Sequence, residues 1–199
     1  MRYPSFYSAV HLIARHGPGA MLSKLDIKES YQMVPVDPRN WFLQGMRWNG
    51  RYNIDTRLPF GLRSALKIFT AVADALQWIF LQQGLRDLLH YLDDFLFVEP
   101  AGQSGQALPK ALATCTTLGV PVVPEKLEGP TTTLTFLGIE LDTIQLTACL
   151  PADKLSCLQQ LLQDWGDKKV CVKRELLSLI GDYNMRLPWY DLVSGSCGE

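Results

Sequence analysis

Leu88-Leu89-His90-Tyr91-Leu92-Asp93-Asp94-Phe95-Leu96-Phe97-Val98 is the stretch on which the fold turns. Two apolar arms flank a pair of adjacent carboxylates, which predicts a β-hairpin. Adjacent acids amid apolar residues repel each other and lose hydration. They sit either on an exposed turn, a common home for aspartate, or beside a neutralising cation. The motif alone leaves both open.

Outward from this hairpin, the pattern alternates strands with packing helices. Phe6 to Ala14 reads as a short helix closed by Gly17-Pro18-Gly19. Leu22 to Ile27 reads as a strand carrying Asp26 near its end. Trp41–Trp48 and Arg51–Leu58 flank Asn49-Gly50, a strong hairpin signal because both turn residues tolerate positive φ. Tyr52, Ile54, Thr56 and Leu58 alternate as one strand face. Ser64 is placed to cap a helix that runs to about Gln83 and stops at Gly84. Its apolar positions, Ala65, Ile68, Phe69, Val72, Leu76, Ile79 and Phe80, follow the helical period. A helix near Leu108–Leu118 ends at Gly119, and strands are expected at Pro121–Val123, Leu134–Leu141 and Gln145–Leu150. Two further helices are expected at Asp153–Trp165 and Lys173–Met185, before a tail without periodicity. Hairpins mixed with packing helices give an α+β fold.

Composition narrows the classes. At 199 residues, with 47% hydrophobic and 20% charged residues, the chain is globular rather than disordered. The net charge of −1 hides an asymmetry. Residues 1–75 hold ten basic and five acidic side chains; residues 76–199 hold nine and fifteen. Residues 39–67 carry Arg39, Arg47, Arg51, Arg57, Arg63 and Lys67 against Asp55 alone. Such a cluster suits phosphate neutralisation and equally suits a solvated hairpin. Five cysteines without a C-x-x-C pair, and three scattered histidines, argue against a disulfide framework and a zinc site. No signal peptide core and no bilayer-length apolar run is present, so an intracellular protein without membrane contact is expected.

A third carboxylate brought beside Asp93 changes the chemistry. Three acids can hold two Mg²⁺ ions about 4 Å apart, the arrangement that serves in-line phosphoryl transfer. Hard oxygen ligands without Cys or His suit Mg²⁺. Polymerases and nucleases share this arrangement, and the order of motifs separates them. Leu25-Asp26-Ile27-Lys28-Glu29-Ser30-Tyr31 comes first, then Leu58-Pro59-Phe60-Gly61-Leu62-Arg63-Ser64-Ala65 followed by Ile68-Phe69. His90-Tyr91-Leu92-Asp93-Asp94 comes third, and Phe136-Leu137-Gly138-Ile139-Glu140-Leu141 last. This series resembles the palm of retroelement reverse transcriptases, and looks most similar to the DIRS-like class of tyrosine-recombinase retrotransposons. The likeness runs over about residues 5–184.

The resemblance implies an RNA-directed DNA polymerase using Mg²⁺, with Mn²⁺ as a substitute. It assigns Asp26 and Asp93 as metal ligands and Asp94 as their companion carboxylate. Its partners would be primer–template RNA or DNA and dNTP, with other retroelement domains acting in trans. The amides of Ile27 and Lys28 would face the triphosphate. Tyr31 would be the steric gate that excludes a 2′-hydroxyl. Phe60 and Gly61 would pack on the nucleotide and primer–template, Gly61 by allowing close backbone approach. Lys126 would protonate the leaving pyrophosphate, and the Phe136–Leu150 hairpin would be the primer grip.

The implied organisation is a palm over residues 1–150, with a fingers hairpin at about 34–63. The start of a thumb or connection follows at 151–185, and a divergent tail at 186–199. Leu66 stands where the family has Pro, and Glu29-Ser30 replaces a smaller pair. The upstream fingers strands and an RNase H domain have no counterpart here, so a truncated copy with weak or no independent activity is expected. The alternatives are a non-catalytic remnant that binds nucleic acid or a protein, and a two-metal nuclease. Tyr31 and the Leu58–Ala65 motif have no role in the nuclease.

Overall fold

Leu92 and Asp93 form the turn between β4 (Leu88–Tyr91) and β5 (Asp94–Glu99), with Tyr91 paired to Asp94. The expected hairpin is therefore present, and Asp94 belongs to its second strand rather than to its tip. Leu92 takes φ 50-degree-class backbone, at φ 56°, which costs about 1 kcal/mol for a residue with a Cβ. Burial of the arms outweighs this. Phe95, Leu96, Phe97 and Val98 are all buried, and each contributes roughly 2 kcal/mol.

The computed structural model describes residues 6–102, 105–166, 168 and 170–186. The expected tail lies, from residue 187 on, outside the described residues. The chain divides into two compact units between Thr131 and Thr132.

The first unit is built on a four-stranded antiparallel sheet of order β4-β5-β1-β6, with β1 at Met21–Asp26 and β6 at Glu128–Thr131. The β1–β5 register pairs Leu25 with Phe95 and Asp26 with Asp94. Side chains alternate across a strand, so Leu25 and Phe95 share one face while Asp26 and Asp94 share the other. Leu25, Phe95 and Phe97 pack with Phe69, Ala73, Leu76 and Phe80 of α2 (Ala65–Gln82). Leu108, Ala111 and Cys115 of α3 (Ala107–Leu118) complete this core. Phe80 meets Phe95 and Phe97 edge-on, with ring centres 5.6 and 5.7 Å apart. The buried residues of α1 (Phe6–His16), Phe6, Ala9, Leu12 and Ile13, lie outside this cluster, and α1 packs on β4 and β5.

Several local expectations are corrected. Ser64 sits at the N-cap of α2 without a side-chain cap bond, because its backbone is already helical. Ile68 is exposed; Thr70 and Ala73 take buried places on α2 instead. Pro121–Val123 forms only a single bridge, Val122 to Ile27, rather than a strand. The strand that does flank β1 is β6, whose Gly129-Pro130 reads as a breaker. An edge strand tolerates proline because one side of its ladder needs no donors. Leu134–Leu141 is not one strand but a hairpin.

β2 (Gly45–Trp48) and β3 (Arg51–Ile54) form the expected hairpin about Asn49 and Gly50, both at positive φ. All eight strand residues are exposed. The alternation from Tyr52 to Leu58 therefore marks no buried face. Leu58 is buried, but beyond the hairpin, where its amide donates to Val34 O at 2.9 Å.

The second unit holds β7 (Thr133–Phe136), β8 (Ile139–Asp142) and β9 (Thr147–Cys149) in that order. Leu137 and Gly138, both at positive φ, turn the first pair. Leu134, Phe136, Ile139, Leu141 and Leu158 are buried there. Helices α4 (Ala152–Gly166) and α5 (Lys173–Arg186) follow. Among the described residues no helix is long and apolar enough to cross a membrane.

Gly129 is the glycine the sheet cannot replace. At φ 101°, an added Cβ would overlap the Leu22 carbonyl oxygen and lie 2.7 Å from Ser23 Cα. Gly129→Ala is expected to lose about 3 kcal/mol of stability in urea unfolding. Gly61→Ala, at φ 85° with nothing within 4 Å, should lose only about 1 kcal/mol.

Candidate functional site

The sheet register brings the acids together. Asp26 ends β1 and is paired across the ladder with Asp94, the first residue of β5. Opposed residues on one face of such a pair have Cβ atoms about 5 Å apart. Asp93, in the adjoining turn, is drawn in by its own backbone, since Ile27 N donates to Asp93 O at 3.0 Å. Asp26 is buried, and Asp93 and Asp94 are partly buried.

The electrostatics follow from this crowding. Burial pushes the Asp94 carboxyl up to about 6. A hydrogen bond shared with Asp26, and the charges of Asp26 and Asp93, push it the same way. A bond between two carboxyls needs one proton, so it favours the protonated form of the pair. Burial also raises Asp93, and Asp26 adds to the effect, while its backbone bond, Lys126 and the Ser30 hydroxyl oppose it. Lys126 Nζ donates to Asp26 Oδ2 at 2.7 Å, and this bond raises the lysine above its ordinary value.

Tyr31, next in sequence to Ser30, packs against two other aromatic residues. Ser30–Met33 forms a 3₁₀ turn directly after Glu29, whose φ is 50°. The turn sets Tyr31 against Phe60 at 4.8 Å and against Phe69 at 5.3 Å between ring centres. Phe60 is 72% exposed, so its ring offers an apolar surface to solvent. Gly61 has no neighbour within 4 Å of a Cβ. Its φ of 85° rather than crowding within the fold calls for glycine. Leu66 lies in the first turn of α2, which forms without a proline at that position.

The amides of Ile27 and Lys28 require a correction. They do not face an open anion site: Ile27 N bonds Asp93 O, and Lys28 N bonds Pro121 O at 2.9 Å. The strand end is stitched to its neighbours instead. The sequence also gave no weight to Ser30. Its buried hydroxyl bonds Asp93, and the signal for it is only a small polar residue four places after Asp26.

The basic hairpin shows its charge on both faces. Arg47 lies opposite Tyr52, with its guanidinium 5.8 Å from the ring centre. Arg51 lies opposite Trp48, in the neighbouring register, on the other face. Arg39 is held by Asp37, at 2.6 Å for the shortest contact.

Whether these residues suit a metal is a question of donors and arrangement. The donors suit a hard divalent cation, since Asp26 and Asp94 are paired across the ladder with Asp93 in the adjoining turn, and carboxylate oxygens are the ligands such an ion prefers. The arrangement as it stands is neutralised from within. One Asp26 oxygen bonds Lys126, and Asp94 is hydrogen-bonded to Asp26. Among the described residues no group of three or more His, Cys, Asp or Glu side chains is set to hold an ion.

No protein-family model and no curated protein matches the chain. Solved structures do. The foamy viral protease-reverse transcriptase in complex with an RNA/DNA hybrid matches with a TM-score of 0.71 and 19% identity, over 99% of this chain and 26% of that chain. Its counterpart described as dRH, in complex with double-stranded DNA, gives 0.71 and 20%, over 100% and 35%. A third, in complex with double-stranded DNA, gives 0.68 and 21%, over 89% and 37%. The chain spans well under half the length of each. At such identity the likeness is one of fold, and the chain has a reverse-transcriptase-like α+β fold.

Proposed function

We propose that the chain is the palm of an RNA-directed DNA polymerase from a retroelement, of the DIRS-like class by its motifs. The observation that carries this is the pairing of Asp26 with Asp94 across the β1–β5 register, with Asp93 in the adjoining turn. In this proposal residues 34–63 are part of the fingers and residues 151–185 the start of a thumb. β7 to β9 supply the primer grip. An intracellular setting goes with it, where dNTPs and templates are found.

Asp26, Asp93 and Asp94 would hold Mg²⁺ or Mn²⁺. Bound there, such ions would activate a primer 3′-hydroxyl and offset charge on the triphosphate of a dNTP. The remaining work belongs to the protein. The Tyr31 ring, braced by Phe69, bounds the space for a sugar edge and excludes a 2′-hydroxyl. Phe60, exposed beside it, gives the base or template an apolar face. Lys126 brings an ammonium to the acids, within reach of a leaving phosphate. Ser30 orients Asp93. The basic hairpin would meet primer–template phosphates, and its two-sided exposure also suits the second proposal, a non-catalytic module that binds nucleic acid or a protein.

Purified protein with Mg²⁺, a primed RNA template and dNTPs is expected to extend the primer slowly in a gel assay. Asp93→Asn should abolish extension, with loss of at least about a hundredfold. Metal-independent template binding without extension would favour the second proposal. Tyr31→Val should admit rNTPs while keeping dNTP incorporation.

The raised Asp94 gives a pH test with a defined sign. Its folded pKa lies above the unfolded value, so its contribution to stability is full below about 4 and is lost as pH rises through about 6. In chelator, Asp94→Asn should therefore gain stability relative to wild type between pH 5 and 7 in thermal unfolding. Millimolar Mg²⁺ should narrow that difference by stabilising wild type at the upper end.

A further inference from the structure

Asp26 and Lys126 are held very differently. The Asp26 side chain is 6% exposed and the Lys126 side chain 59% exposed, with 2.7 Å between their charged atoms. The acid is fixed by the sheet; the lysine reaches it from solvent. The backbone that carries the lysine is tied to the end of β1. Val123 N donates to Asp26 O at 3.0 Å, and Lys28 N to Pro121 O at 2.9 Å. Pro124–Lys126 then forms a 3₁₀ turn, with Lys126 N donating to Val123 O at 3.1 Å. Only the flexible four-carbon stem is left to move.

Lys24, whose charge is also felt by Asp94, is engaged elsewhere by Glu128 at 2.6 Å. Lys126 donates to an Asp26 oxygen, and Lys24 to Glu128. Comparing the two lysines separates loss of the Asp26 bond from loss of a positive charge near the acids.

We propose that Lys126 is a built-in place-holder for a divalent cation: its ammonium occupies the Asp26 oxygen in the metal-free protein and leaves it when the ion binds. This rests on the polymerase reading of the three acids. A monovalent ammonium satisfies one oxygen, while a divalent ion engages several carboxylates at once and displaces it. The lysine thereby keeps the buried acid paired without metal and weakens cation binding by the bond that must be broken. A charge-assisted hydrogen bond of this kind corresponds to about tenfold in affinity.

The test is a titration of the full chain with Mn²⁺ alone at one neutral pH, read by the loss of the free-ion electron paramagnetic resonance signal. Lys126→Met should bind Mn²⁺ about tenfold more tightly than wild type, and Lys24→Met within about twofold of it. Lys126→Arg, whose fork holds a carboxylate firmly, should bind no more tightly than wild type. In parallel, Mn²⁺ should raise the melting temperature of Lys126→Met more than that of wild type. Equal affinity of wild type and Lys126→Met overturns the place-holder and leaves the polymerase proposal standing. Equal gains in Lys24→Met and Lys126→Met also overturn it, in favour of a field effect. No Mn²⁺ binding by any of these proteins overturns both proposals.

Discussion

The register of β1 against β5 is the constraint from which the rest follows. It sets Asp26 opposite Asp94 on the face turned away from Phe95 and Leu25. Burying a carboxyl beside other acids is unfavourable, and Asp94 is raised first by burial and then by Asp26 and Asp93. A slip of one residue would relieve the repulsion, but it would also move Phe95 and Phe97 out of their contacts with Phe80. Several buried aromatic side chains at roughly 2 kcal/mol each hold the register against that.

What the register leaves unbalanced is balanced nearby, by groups from three directions. Ser30, from the turn after β1, bonds Asp93. Lys126, from the turn before β6, bonds Asp26. Asp94 shares a hydrogen bond with Asp26. These compensations are local and mostly reversible, since a hydroxyl can rotate, a lysine can swing and a proton can leave. The aromatic core beneath cannot rearrange so cheaply. A rigid sheet presenting an adaptable acid cluster fits the phosphoryl-transfer chemistry proposed for it.

Much of the element order was legible in the chain. The apolar arms around Asp93-Asp94, the helix between Ser64 and Gly84 and the Asn49-Gly50 hairpin are all local signals, and all appear. The misreadings share one cause. β6 holds Gly129 and Pro130, which argue locally for a break, yet it pairs because β1 offers an open edge. The amides of Ile27 and Lys28 are free by local rules, yet Asp93 and Pro121 claim them from distant parts of the chain. Tyr52 and Ile54 alternate as if to bury one face, yet no layer covers them within their unit.

The sequence by itself determined the α+β class, the short elements and the identity of the acids, because period, turn chemistry and motif order act over a few residues. Tertiary structure alone decided that Asp26 meets Asp94, that Ser30 and Lys126 attend them, and that the fingers-like hairpin stands exposed on both faces. Those depend on strand register and on contacts between residues up to |i−j| = 100 apart, as for Lys126 and Asp26. No local propensity encodes such contacts; the packing of the whole sheet does.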